Sequence, residues 1–101
     1  MLQWKHLVLG AVVLTLAGCG GKENYDPAPG TQASAMFKHA CSHCHGEKGQ
    51  GKFGFLLSLH DLQLPKPGIE KMIAHGNGIM PAFTKLSDKQ RARLANYVKT
   101  F

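Results

Sequence analysis

Acidic residues and cysteines are both scarce in this chain of 101 residues, and several familiar signatures are missing. Six Asp and Glu residues face twelve Lys and Arg residues, for a formal net charge of +6, and there are only three cysteines. No internal repeat occurs, and the apolar run at residues 7–17 is too short to span a bilayer comfortably. These absences exclude a repeat protein, and the length leaves room for one domain.

The shortage of acidic residues bears on the choice of partner. An excess of positive charge can steer a protein toward an acidic partner surface, although it can equally be a merely soluble surface. The basic residues are scattered, and no aromatic platform interleaves them. Nucleic acid is therefore not expected as a partner.

Two of the three cysteines fall in the run Cys41-Ser42-His43-Cys44-His45. C-x-x-C-H is the pattern by which c-type haem is covalently attached. On a helix, positions i, i+3 and i+4 share one face, so both sulfurs and the imidazole would point at one object. The pattern predicts two thioether bonds to haem from Cys41 and Cys44, with His45 as the proximal iron ligand.

Two other uses of this motif fit the sequence less well. A thioredoxin-like dithiol would need a strand before the motif, and no apolar β-type run precedes it. A zinc site could recruit His39 or His43, but structural zinc favours two separated ligand pairs. The chain has no second Cys pair, and His60 and His75 stand alone.

The N-terminal third reads as targeting sequence rather than as part of the domain. Residues 1–18 have the basic start, apolar run and small residues of a secretory signal peptide. Leu16-Ala17-Gly18-Cys19 resembles the lipobox of bacterial lipoproteins, in which the cysteine is acylated and becomes the first mature residue. An ordinary signal peptide with an incidental Cys19, or an uncleaved anchor, is the alternative. Gly20 after Cys19 resembles the pattern that sorts lipoproteins to the outer membrane.

After the signal, residues 19–32 are rich in Gly, Pro and polar residues, so we expect a flexible tether that reaches about 30–40 Å. Removal of Lys5 with the signal leaves 11 basic and 6 acidic residues, a net charge of +5. The globular domain is predicted at residues 33–101. A domain this small needs a staple, and a covalently bound haem would complete its core.

An all-α domain with three readable helices is predicted. The first spans residues 33–45 and stops at Gly46, and a short one spans residues 68–75. The last begins at the N-cap Ser87, with Gln90 completing a capping box. Between them lie a glycine-rich loop, an apolar stretch at residues 55–64 that we expect to line a pocket, and two prolines expected to block regular structure, Pro65 and Pro67.

The sixth iron ligand decides between an electron carrier and a haem that binds gases or catalyses. The candidates are Met36, Met72, Met80, His39, His43, His60 and His75. Met36, His39 and His43 share the helix of His45 and cannot reach the opposite haem face. Met80 is the best candidate, since Pro81 biases it to an extended conformation in a loop between helices. Met72 is spaced as a core residue, and His60 and His75 are expected at the surface.

Taken together, the domain resembles a small bacterial class I cytochrome c. The matching features are Phe37 before the motif, the loop Gly49-x-Gly51-x-x-Gly54, the run Gly76-x-Gly78-x-Met80-Pro81-x-Phe83, and the last helix with Leu94 and Tyr97. The resemblance implies three to four short helices around one haem, with the first and last helices crossing beside it. It also implies a pocket lined by Phe37, Phe55, Leu57, Pro81 and Phe83.

One departure from the family pattern concerns His45. The family usually has Gly-Pro after the glycine loop, and the proline carbonyl accepts the hydrogen bond from the ligand histidine. Here Phe55 follows Gly54, so the position of the acceptor carbonyl is less constrained.

The function that follows is single-electron transfer without bond chemistry, so the chain is not expected to be an enzyme. Its partners would be redox proteins of a respiratory chain, such as an oxidase or another cytochrome, and a monomer is expected. The alternative is a gas-binding or peroxidase-like haem protein in which Met80 does not bind iron. No distal acid–base pair supports that alternative.

Overall fold

The computed structural model describes residues 23–53 and 56–101. It contains four helices: α1 (Ala33–Ala40), α2 (Ser42–His45), α3 (Lys66–His75) and α4 (Asp88–Val98). In the described residues, β-type pairing is limited to two isolated bridges, so no strand forms there. None of the described helices has the length and apolar character needed to cross a bilayer. The all-α architecture agrees with the prediction.

The first predicted helix is divided at Cys41. Residues 33–45 were expected to be continuous, but Cys41 has φ −118° and separates α1 from the one-turn α2. The Ser42 hydroxyl donates to the carbonyl of Lys38 at 2.5 Å, a side-chain bond that competes with the helical ladder and bends helices. Gly46, at φ +80°, ends α2 where the sequence predicted a stop.

Helix α3 begins at Lys66, two residues earlier than predicted. Pro67 was expected to block regular structure, and that expectation is wrong because it lies in the first turn of the helix. A first-turn N–H has no partner within the helix, so proline is tolerated there. Gly76, at φ +72°, ends the helix as predicted.

Helix α4 has the predicted capping box. The Ser87 hydroxyl accepts a hydrogen bond from the Gln90 backbone at 3.1 Å, and the Gln90 side-chain oxygen accepts one from the Ser87 backbone at 2.8 Å. Two backbone N–H groups at the start of the helix, which have no partner within the helix, thereby gain hydrogen bonds.

Helices α1 and α4 pack together through an aromatic cluster, as expected for the first and last helices. The Phe37 ring lies 5.5 Å from the Tyr97 ring and 4.9 Å from the Phe101 ring. The buried apolar core is Met36, Phe37, Ile69, Ile73, Phe83, Leu86, Leu94, Ala95 and Val98.

Residues 25–29, which we call the strap, pack against this helix pair. The Gln90 amide donates to two strap carbonyls at 3.2 and 3.3 Å, and the Arg93 guanidinium donates to a third at 2.8 Å. The Tyr25 ring lies 6.3 Å from the His39 ring. The part of the predicted tether that the structure describes therefore lies against the domain.

Candidate haem site

The boundary between α1 and α2 positions the C-x-x-C-H side chains. The Cys41 carbonyl accepts hydrogen bonds from the backbone N–H groups of Cys44 and His45, at 3.2 and 3.0 Å. This single turn places the three side chains on one face. All three line one cavity of about 160 Å³.

His45 is oriented by a hydrogen bond to the backbone. Its Nδ1 lies 2.7 Å from the Leu57 carbonyl oxygen. A carbonyl can only accept, so Nδ1 carries the proton and the lone pair is on Nε2. This is the arrangement of a metal-ligating histidine, with one ring nitrogen held by an acceptor and the other free for the metal. The acceptor that the sequence left unconstrained is thus the carbonyl of Leu57.

Glycines hold the Leu57 loop beside the motif. Gly51 donates to the His45 carbonyl at 2.6 Å and has φ +77°. A Cβ at Gly51 would lie 2.2 Å from the Leu56 carbonyl oxygen, so only glycine fits. Leu57 itself has φ +61°, which is costly for a residue with a side chain. The loop therefore presents the Leu57 carbonyl in a conformation that its surroundings impose.

Met80 reaches the same cavity from a second loop. Asn77 and Met80 exchange backbone hydrogen bonds at 3.1 and 2.9 Å. Gly76 allows the close turn, since a Cβ there would lie 2.4 Å from the Met80 carbonyl oxygen. The Phe83 backbone then donates to the Ile73 carbonyl at 2.9 Å, which ties the end of the loop to α3.

A second cavity, of about 70 Å³, lies beside the first. Both are walled mainly by apolar side chains, as a largely apolar ring would require. Of the predicted pocket residues, Leu57, Pro81 and Phe83 line the first cavity and Phe37 lines the second. Phe55 falls outside the described residues, as does Cys19.

The cavities share four lining residues: Cys41, His45, Met72 and Met80. Cys41, His45 and Met80 are residues that the sequence predicted for haem attachment and ligation. Met72 is the addition, because its helical spacing indicated core packing instead. Met72 lies three residues after Ile69, at the edge of the buried face of α3. This position is the sequence signal that could have identified it as a cavity residue.

The chemistry of Cys41 bears on the dithiol and zinc alternatives. Burial raises the pKa of the Cys41 thiol to about 12. A redox-active or metal-binding cysteine needs a lowered pKa, because the thiolate is the reactive form. An uncharged sulfur, such as a thioether, suits this apolar site better. Within the described residues, no three His, Cys, Asp or Glu side chains are grouped to hold a metal ion.

The other histidines that the structure describes lie at the surface. His60 Nε2 is 3.0 Å from the Lys48 carbonyl oxygen, and the His39 ring lies 6.3 Å from the Tyr25 ring, tilted by 33°. His43 and His75 are also exposed. None of the four lines either cavity.

Comparison with known proteins gives the family context. The family described as "Cytochrome C oxidase, cbb3-type, subunit III" matches residues 28–98. No curated protein matches this chain significantly. Among solved structures, the c-type cytochrome KustC0563 is 20% identical, with a TM-score of 0.62, over 70% of this chain and 98% of its own.

A second solved structure is cytochrome CL from the marine methylotrophic bacterium Methylophaga aminisulfidivorans MPT. It is 25% identical, with a TM-score of 0.54, over 67% of this chain. The match spans 51% of that cytochrome's length.

Proposed function

Because this chain belongs to the c-type cytochrome family of cbb3-type oxidase subunit III and accordingly carries covalent haem c, we propose that it is a one-electron carrier whose iron is held by His45 and Met80. The haem supplies the redox chemistry, cycling between ferric and ferrous iron. The protein would position the haem, supply His45 and Met80 as iron ligands and surround the ring with apolar side chains.

The observation that carries this proposal is the position of His45 and Met80 where the two cavities meet. His45 comes from α2 with Nε2 free, while Met80 comes from a different loop. Two ligands from separate elements can bind one metal from different sides. Cys41 borders both cavities and Cys44 the first, which supports thioether attachment at the same place.

Each side chain has a defined role in this proposal. Cys41 and Cys44 form the two thioethers. His45 donates its Nδ1 proton to the Leu57 carbonyl, which orients the ring and would leave Nε2 to bind the iron. Met80 supplies a thioether sulfur, which raises the reduction potential relative to a second histidine. Retention of both His45 and Met80 in both oxidation states would keep reorganisation small during electron transfer and would leave no position for a substrate.

The cellular setting is proposed from the sequence and the family. Residues 1–18 are a signal peptide, Cys19 is acylated, and the protein is exported and anchored to the outer face of a bacterial membrane. The domain then begins after residue 32, with the strap folded back against it. Its partners are redox proteins of a respiratory chain, an oxidase or another cytochrome, which dock through small transient interfaces.

The test compares wild-type holoprotein with Met80→His, and the oxidised optical spectrum is the readout. Wild type is expected to show the weak long-wavelength band of sulfur-to-ferric-iron charge transfer. Met80→His should lose that band while staying low-spin. Its reduction potential should fall by a fraction of the roughly 0.8 V range that axial ligands span, because nitrogen favours the ferric state.

Met36→Leu is the matched control, because Met36 is fully buried in α1 and borders neither cavity. It should keep the band and the potential of wild type. If wild type lacks the band and binds cyanide or carbon monoxide rapidly, the carrier proposal fails. A gas-binding or catalytic haem then replaces it.

A further inference from the structure

Met72 borders both cavities alongside His45 and Met80, yet the proposed function gives it no role. Four residues are common to the two cavities. Cys41 would attach the haem, and His45 and Met80 would bind iron. The fourth is a second thioether at the same junction, and thioether sulfur is the ligand type already proposed for the sixth position.

The direction of the Met72 side chain follows from its place on α3. Ile69 and Ile73 on this helix are 5% and 4% exposed and face the core. Met72 lies at the edge of this buried helix face and is only partly buried. Ile69 and Ile73 line only the second cavity, whereas Met72 lines both, so Met72 lies at the junction of the two cavities. Met36, by contrast, is 0% exposed within the core.

The backbone around Met80 is held less firmly than the backbone around Met72. Met80 ends a short turn in which residues 77–79 are all exposed, Ile79 to 72%. Exposed turns with few packed side chains open at low free-energy cost. Met72 lies within a helix anchored by two buried isoleucines, and its carbonyl accepts a 2.7 Å hydrogen bond from Gly76. Opening of the Met80 turn would thus leave Met72 in place.

We propose that Met72 is a reserve iron ligand whose thioether binds the haem iron when Met80 is displaced or absent. The proposal rests on the proposed His45 and Met80 ligation. One neutral sulfur replaces another, so no electron or proton is transferred. A long, unbranched methionine side chain has the freedom to make this move from a fixed helix. The exchange would keep the iron six-coordinate and closed to small ligands while the turn is open.

The experiment uses holoprotein in four forms besides wild type: Met80→Ala, Met72→Leu, Met72→Leu/Met80→Ala, and Met36→Leu/Met80→Ala. Methionine to leucine conserves volume and is well tolerated in cores, so the folds should persist. The readouts are the ferric sulfur-to-iron band, cyanide affinity, and the NMR signals of ¹³C-methyl-labelled methionines in the ferrous state. A methionine methyl group on the iron lies over the haem ring, which shifts its signal strongly.

Met80→Ala is expected to retain the sulfur band, with the Met72 methyl carrying the ring-shifted signal. The Met72→Leu/Met80→Ala variant should lose the band and become high-spin. Its apparent cyanide affinity should be about tenfold higher than that of Met80→Ala. This factor corresponds to Met72 occupying the iron about nine-tenths of the time in Met80→Ala, which leaves about one-tenth of the protein able to bind cyanide. Met36→Leu/Met80→Ala should behave like Met80→Ala.

The reserve role is overturned if Met80→Ala alone matches the variant that also lacks Met72 in band, spin state and cyanide affinity. That result would leave the proposed function standing. Loss of the band in Met72→Leu alone would make Met72 the resident ligand and overturn both proposals. Absence of the band from wild type would likewise overturn the proposed ligation together with the reserve role.

Discussion

The Leu57 carbonyl is the residue-scale feature on which the properties of His45 depend most directly. Its oxygen accepts a hydrogen bond from His45 Nδ1, with 2.7 Å between the nitrogen and the oxygen, and Leu57 itself has φ +61°. A firm acceptor fixes the tautomer of the imidazole and the orientation of its ring. Gly51 supports this geometry, because its amide bonds the His45 carbonyl and its missing side chain makes room for the Leu56 carbonyl.

Gly51→Ala is therefore expected to destabilise the holoprotein by about 2–4 kcal/mol, combining backbone strain with a forced shift of the Leu57 loop. Gly78→Ala is the matched control: Gly78 also has positive φ, +59°, but a Cβ there meets nothing within 4 Å. Gly78→Ala should lower the free energy of unfolding by about 1–2 kcal/mol, which is the backbone strain of a left-handed residue alone. Denaturant unfolding of the ferric protein measures both. Equal costs would show that the contact at Gly51 is unimportant.

Helix α4 shows at the element scale how one residue can serve two structural units. Gln90 is 3% exposed and completes the capping box with Ser87. Its amide nitrogen also donates to the strap carbonyls of Pro27 and Ala28. The start of α4 and the packing of the strap are thereby coupled.

Gln90→Ala should consequently lower the free energy of unfolding by more than Ser87→Ala does. Loss of the Ser87 cap is expected to cost about 1 kcal/mol. Loss of Gln90 removes its half of the cap and the bonds to the strap, for a total of about 2–3 kcal/mol. Thermal unfolding of the two variants and of Ser87→Ala/Gln90→Ala completes a double-mutant cycle. Similar costs for the two single variants would contradict the coupling.

Local patterns predicted the elements better than the contacts between them. Gly46, Gly76 and the Ser87 capping box mark helix ends through short-range chemistry, and each lies where the sequence indicated. The Leu57 carbonyl and the strap could not be predicted in this way. Backbone carbonyls carry no side-chain signature, and their partners are 12 and more than 60 residues away in sequence.

Some positions in the sequence were ambiguous for a related reason. Met72 has the spacing of a core residue, and only the packing of α3 directs it to the cavities. Pro67 was read as a helix breaker, although the same residue is acceptable within the first turn. Each pattern allows two outcomes, and tertiary packing decides between them.

The molecule as a whole has a small core built around its cavities. Nine buried apolar side chains form the core of the described residues, and six of them line the two apolar cavities. A domain of this size buries too little surface to offset its conformational entropy comfortably. The haem therefore contributes to folding as well as to electron transfer.

Removal of the haem should abolish cooperative unfolding. The Cys41→Ala/Cys44→Ala chain, produced without haem, is expected to show reduced helical circular dichroism and no sharp thermal transition. Cys41→Ala alone, loaded with haem through Cys44, is the control for loss of a sulfur, and it should still unfold cooperatively. A cooperative transition in the haem-free chain would mean that the protein core suffices.

The strap would limit how far the haem could move from a membrane in the lipid-anchored form proposed above. A free tether over residues 19–32 would let the domain move about 30–40 Å. With the strap packed against α1 and α4, the reach from Cys19 to Tyr25 would be at most about 20 Å for a fully extended chain. The Tyr25 ring lies 6.3 Å from the ring of His39, so the chain enters the domain beside the helix that leads into the haem-attachment motif. In that proposed lipid-anchored form, encounters with partners on the same membrane would become a two-dimensional search within a thin layer.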